Sequence, residues 1–232
     1  MQDIAVASCA VDRPLAPRYR WISLVEVALG TFFVIGHNLF HIVPNEVPIL
    51  FVFFWFSFWL RDGGWTVPGL KRPKSWGKTA LMAIAAAAVL QVGSELVVQP
   101  LATHFWHNPE NVSSALKIPV HDWKAGLRSL AIVWIFAGFG EEISYRGYLL
   151  TRAADLGNRS RIAYIAAMLY VALLFGLGHF YKGPAGIIDS TYSGLVLGGV
   201  YLLSGRNLWA PVLAHGITDT VAVVAIFMGW AN

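Results

Sequence analysis

Residues 129–150 read SLAIVWIFAGFGEEISYRGYLL. Twelve residues without a charge lead directly into two adjacent carboxylates, Glu141 and Glu142. A water-exposed helix carries such a pair trivially, whereas a carboxylate inside a bilayer costs about 2.5–3.5 kcal/mol on insertion scales and needs a task or a partner. The composition decides which case applies. The 232 residues are 56% hydrophobic and 13% charged, with 10 Trp and 14 Phe, and the mean hydropathy is +0.57. A soluble domain carries about 25% charged residues, so the chain reads as a membrane protein.

Outward from this stretch, seven segments are apolar enough to be spans: 21–43, 46–60, 79–98, 124–150, 162–181, 186–204 and 208–229. The second is short for a span of about 20 residues. The expected fold is an all-α polytopic transmembrane bundle of about seven spans. If all seven cross, thirteen of the 17 Lys and Arg residues fall on the side of the tail 1–20. Only Lys117, Lys124, Arg128 and Lys182 fall on the other. The positive-inside rule then puts the N-terminus in the cytoplasm and the polar connection 99–123, with its Asn111 sequon, outside. The apolar run after Arg20 is too long for a cleaved signal peptide. Cys9 is the only cysteine, so no internal disulfide forms. The net charge of +4 is spread without a basic run, which excludes a nucleic-acid footprint.

Within this frame the two glutamates part. Adjacent helical residues differ by about 100° around the axis, so they cannot face one site equally. Glu142 has Arg146 four positions on, in the favourable acid-before-base order. Glu141 has Tyr145 at that offset and stays free for chemistry. FGLGH, residues 175–179, puts Phe175 one turn before His179, and HGITD, residues 215–219, stacks His215 over Asp219. A carboxylate that takes a proton from water, beside histidines, suits hydrolysis. Glu141, His179 and His215 are equally ligand types for a zinc ion with an open water position. Singly, EExxxR and HxxxD are common as ion-paired faces and hydrogen-bonded pairs; the weight lies in their occurrence on three spans.

In this order, EEISYR, FGLGH and HGITD resemble the three motifs of the CPBP family, the Abi or CAAX-protease-like intramembrane proteases that include the type II CAAX prenyl proteases. The resemblance covers about residues 124–225. It implies an intramembrane endopeptidase in which Glu141 activates the attacking water and His179 positions it. His215 and Asp219 would stabilise the oxyanion, Glu142 and Arg146 would complete the first motif, and Phe175 would line the site. Asp219 stands where prenyl-protease members have Asn, and a carboxylate donates no hydrogen bond unless protonated. Zinc and a metal-free glutamate mechanism both remain open.

The chain thus divides into a cytoplasmic tail 1–20, spans and outer loop over 21–123, and a catalytic core over 124–229, all in one domain. Its partners would be the bilayer and a membrane-associated peptide or protein, and its place the inner membrane if the source is bacterial. The competing readings are an ion-coupled transporter or a non-catalytic scaffold using the same polar cluster. Glu26 and Glu95 are second-rank candidates, lining a polar cavity or pairing with another span. His37 and His41 read as interfacial or interhelical, and Gly194, Gly198 and Gly199 as a face for close helix packing. The water route is expected on the cytoplasmic side, bordered by Arg152, Arg159 and Arg206. Depth conflicts with this grouping, because at 1.5 Å per residue His179 lies roughly 27 Å from Arg161 and Glu141 roughly 16 Å from Arg152.

Overall fold

The computed structural model describes residues 16–106 and 118–230; residues 107–117, with Asn111 and the middle of the outer connection, lie outside that set, as does the tail to residue 15. The described residues form helices α1 (Pro17–Asn38), α2 (Glu46–Asp62), α3 (Trp76–Phe105), α4 (123–155), α5 (Arg161–Leu177), α6 (Gly183–Leu203) and α7 (Trp209–Phe227), with no strand among them. A single 3₁₀ turn, Phe180–Lys182, joins α5 to α6. Four stretches have the length and apolarity to cross a membrane: Pro17–Asn38, Trp76–Phe105, Phe180–Leu203 and Trp209–Phe227; Arg161–Leu177 is apolar but shorter.

Polar caps set several helix starts. The Asn45 side chain accepts from the Val47 N–H at 2.9 Å, Asp122 accepts from Lys124 and Ala125, and Ser160 accepts from Ala163. α1 stops at Asn38, short of the expected residue 43, and His41 then takes a left-handed conformation at φ 54°. His37 and His41 therefore do not share a helical face. α3 runs on to Phe105 instead of ending at 98. Pro100 lacks the N–H that a regular helix needs, and the preceding turn, Ser94–Val98, widens into a π-helix that accommodates it.

Two apolar clusters hold the bundle. Leu50, Phe54 and Phe58 of α2 pack with Ile143, Leu149 and Leu150 of α4, and with Tyr164, Val171 and Phe175 of α5. On the other side Ala83, Ala86 and Leu90 of α3 meet Leu197 of α6 and Ala210 and Ala214 of α7. Small residues let these backbones approach. A Cβ on Gly194 would stand 2.8 Å from the Ala172 Cα, so α5 and α6 touch nearly backbone to backbone. Gly194 and Gly198 thus serve packing inside the chain, while a Cβ on Gly199 would meet nothing.

The sequence reading treated Arg152 and Arg159 as loop charges bordering a water route. The structure places both in an ion network. Arg152, fully buried, gives Nη1 to Asp155 at 3.1 Å and Nη2 to Asp62 at 2.9 Å, and its guanidinium lies 3.7 Å above the Phe58 ring. Arg159 bonds Asp155 at 2.5 Å and Asp62 at 3.1 Å. Arg61 joins through Asp155 and Glu26, and the Ser23 hydroxyl donates to Asp155 at 2.7 Å. Glu26 is therefore a paired acid, one of the two roles expected for it. The network ties α1, α2 and α4 together at the end of the bundle that holds the α4–α5 loop. Removing one partner of a buried ion network leaves an uncompensated charge, costing about 3–5 kcal/mol. Asp155→Ala is expected to lower the melting temperature in detergent by many degrees, and an unchanged melting curve contradicts this assignment.

Candidate active site

The site is built on an irregular helix. Within α4, residues Val133–Glu141 and Ile143–Leu150 are π-helical, and Glu142 lies at their junction. Such widened turns are rare and concentrate at functional positions. Gly138 lies inside the first of them, where a Cβ would stand 3.3 Å from the Gly216 Cα, so α4 and α7 also approach closely.

Glu142 is fully buried and serves two partners. Its Oε1 accepts from Arg146 Nη1 at 2.7 Å and from His215 Nδ1 at 2.8 Å. Arg146, 1% exposed, donates also to the Gly194 carbonyl at 3.4 Å and stacks over the Phe175 ring with its guanidinium carbon 4.5 Å from the centroid. The expected Glu142–Arg146 pair is present, and it also clamps α7. Phe175 lies between the two histidines, 4.7 Å from the His179 ring and 6.2 Å from the His215 ring, with Tyr145 edge-on at 5.0 Å.

His179 does not lie within α5 as its span 162–181 implied. α5 ends at Leu177, and His179 occupies the turn before the 3₁₀ segment. Its Nδ1 donates to the Phe175 carbonyl at 2.9 Å, which leaves the Nε2 lone pair facing outward from that bond. The last turn of α5 meets α4 at Tyr145 and Arg146 through Phe175.

Glu141 makes no hydrogen bond or ion pair with the described residues, and its Oε2 is buried without a partner. It lies in the electrostatic field of His215, Asp219, Glu142 and Lys182. Asp219 Oδ2 sits 3.7 Å from His215 Nε2, beyond hydrogen-bond length. Beyond Asp219 opens a polar cavity of about 260 Å³ between α3, α6 and α7, lined by Gln91, Glu95, Lys182, Asp189, Thr218 and Asp219 among others. Glu95 therefore borders a polar cavity, as expected of it. The cavity lies toward the α5–α6 turn, not toward Arg152, Arg159 and Arg206. At that other end the arginines are taken up, two by the ion network and Arg206 by the Tyr164 hydroxyl at 2.6 Å.

Among the described residues no three His, Cys, Asp or Glu side chains gather as a metal site requires. Glu141, His179 and His215 thus do not gather as the zinc set that their residue types allowed.

Three residues escaped the sequence reading. Glu46 at the start of α2 is 5% exposed and accepts from the Tyr145 hydroxyl and from Asn38, both at 3.1 Å. Tyr145 was seen only as a neighbour of Glu141. Lys182 was counted only as a topology charge, although its place three residues after His179 was a usable signal. A Cβ on Gly178 would stand 2.8 Å from the Tyr145 hydroxyl. Gly178→Ala is expected to displace Tyr145 or the His179 turn, an overpacking cost of about 1–3 kcal/mol. A crystal or cryo-EM structure of Gly178→Ala checks this; an unmoved Tyr145 and turn contradict it.

Residues 123–221 match a family model described as Type II CAAX prenyl endopeptidase Rce1-like. Neither a curated protein nor a solved structure matches the chain. The matched segment runs from the start of α4 into α7 and holds all three motifs, Glu141 to Arg146, Phe175 to His179 and His215 to Asp219. Over this segment the chain is similar to the type II CAAX prenyl endopeptidases, and its apolar helices mark it as an integral membrane protein.

Proposed function

We propose that the protein is an intramembrane endopeptidase that hydrolyses peptide bonds of membrane-associated proteins or peptides. The observation that carries this reading is the contrast between the two acids. Glu142 is engaged by Arg146 and His215, whereas Glu141 has a buried Oε2 without a partner among the described residues and lies in the field of His215. A carboxylate kept from its neighbours in a dry bundle is a base awaiting water.

In the proposed reaction Glu141 takes a proton from a water held by the Nε2 lone pair of His179. The water oxygen bonds to the scissile carbonyl carbon, and the carbonyl π pair moves onto oxygen. The Glu141 proton passes to the amide nitrogen as the C–N bond breaks, releasing an amine and a new carboxyl terminus. His215, fixed through Nδ1, stands beside Asp219 at the wall of the polar cavity. No step needs a metal, in keeping with the scattered ligand atoms.

The seven helices are proposed to cross the membrane, the inner membrane if the source is bacterial, with the N-terminus in the cytoplasm. Arg146 and Arg152, both buried in ion pairs, drop out of the charge comparison without reversing it. A transporter would need acids free to bind a coupling ion. Here Glu26, Asp62 and Asp155 are neutralised by arginines, so such a reading would rest on Glu141 and on the cavity acids Glu95, Asp189 and Asp219.

Cleavage of fluorogenic membrane peptides by purified protein in nanodiscs tests the proposal. Glu141→Gln is expected to lose at least about 10²-fold in kcat with an unchanged melting temperature, and a chelator is expected to leave turnover intact. Glu142→Gln is expected to melt earlier, since Arg146 and His215 both lose a charged partner. Full activity of Glu141→Gln, or turnover abolished by chelator and restored by zinc, contradicts the mechanism.

A further inference from the structure

Peptide hydrolysis generates an oxyanion, and preorganised N–H donors aimed at it supply much of the rate. The family resemblance gives that task to His215 with the residue at position 219. Here position 219 is a carboxylate, which has no hydrogen to donate when ionised. Of the other donors near Glu141, the neutral Tyr181 hydroxyl is the alternative, and the remaining side chains are committed. Arg146 is spread over Glu142, the Gly194 carbonyl and the Phe175 ring. His179 uses its Nδ1–H on the Phe175 carbonyl. A neutral His215 uses its Nδ1–H on Glu142 and presents a lone pair at Nε2, and a charged one has Asp219 beside its second N–H.

One cation remains. The Lys182 ammonium has no hydrogen bond and no ion pair with the described residues, its only contact of that kind being the Tyr181 ring 5.8 Å from Nζ. It sits at the end of the 3₁₀ turn that follows His179. Its stem lies along α6, where a Cβ on Gly186 would overlap it and would stand 3.4 Å from its Cδ. Lys182 lines the polar cavity that Asp219 also lines. It acts electrostatically on Glu141 and Asp219 together, and His179 and Asp219 each feel it in turn. A cation with three uncommitted donors thus stands within the field of the base, of the water-holding histidine and of the carboxylate that replaced a donor.

We propose that Lys182 donates to the carbonyl oxygen as it becomes the oxyanion, taking over the part that an amide at position 219 would play. No proton is transferred; the ammonium bonds the oxygen through an N–H until the C–N bond breaks. The inference rests on the endopeptidase reading.

The test is a double-mutant cycle between Lys182→Met, which keeps the stem on Gly186, and Asp219→Asn, which restores an amide donor. Lys182→Met is expected to lower kcat about 10²–10³-fold with KM changed little, and Lys182→Arg to retain part of the activity. In the Asp219→Asn background the same change should cost less than about tenfold, because interacting residues are non-additive. Binding of a peptide phosphonate, an oxyanion mimic, should weaken in Lys182→Met while binding of the parent peptide to Glu141→Gln does not depend on Lys182. This binding measurement holds whether or not turnover is observed. Unchanged activity of Lys182→Met, equal losses in both backgrounds, phosphonate binding indifferent to Lys182, or a loss carried by Tyr181→Phe instead would each overturn the proposal. A wild-type protein that cleaves no membrane peptide would overturn the endopeptidase reading itself.

Discussion

One oxygen, Glu142 Oε1, joins the three motifs. It takes Arg146 from one turn along its own helix and His215 from α7, and Arg146 in turn covers Phe175 of α5. An ionised carboxylate this deep is tolerated only because two donors meet it, and a buried arginine only because its fork is filled. The pair therefore fixes how α4, α5 and α7 sit against one another. It also releases Glu141: with both nearby donors taken by its neighbour in sequence, the first glutamate keeps a bare carboxylate.

Backbone closeness supports this centre. Gly138 and Gly216 let α4 and α7 meet, and Gly194 lets α6 lie on Ala172. The π-helical turns around Glu142 redirect side chains that a regular helix would send elsewhere. At the α4–α5 end the Arg152–Asp155–Asp62 network closes the bundle, and at the α5–α6 end the polar cavity keeps it open beside Asp219. The chain thus separates a charge-locked end, which holds shape, from a polar end with room for water.

Much of this was legible in the residues. Hydrophobic run lengths gave the helices in order, and the i,i+4 offset of Glu142 and Arg146 assigned one acid to structure. What stayed hidden depended on distances between helices. Nothing local tells that Arg152 turns inward to Asp62, ninety residues away in sequence, rather than outward to water. The π turns have no pattern of their own, so α3 was ended too early; His179 was placed within a span because apolar residues continue past the helix end at Leu177. Lys182 looked like a loop charge because its environment is made by α6 and α7. Metal ligation was open by residue type, and only the spacing of the side chains in the folded chain spoke to it.

The central claim is that Glu142, and not Glu141, holds His215. It is tested most directly by nitrogen NMR of ring-labelled histidine in nanodiscs, with the His215 signal assigned by substitution. The structure predicts a protonated, exchange-protected Nδ1 whose resonance shifts strongly in Glu142→Gln and little in Glu141→Gln. A His215 signal that responds to Glu141→Gln and ignores Glu142→Gln would contradict it.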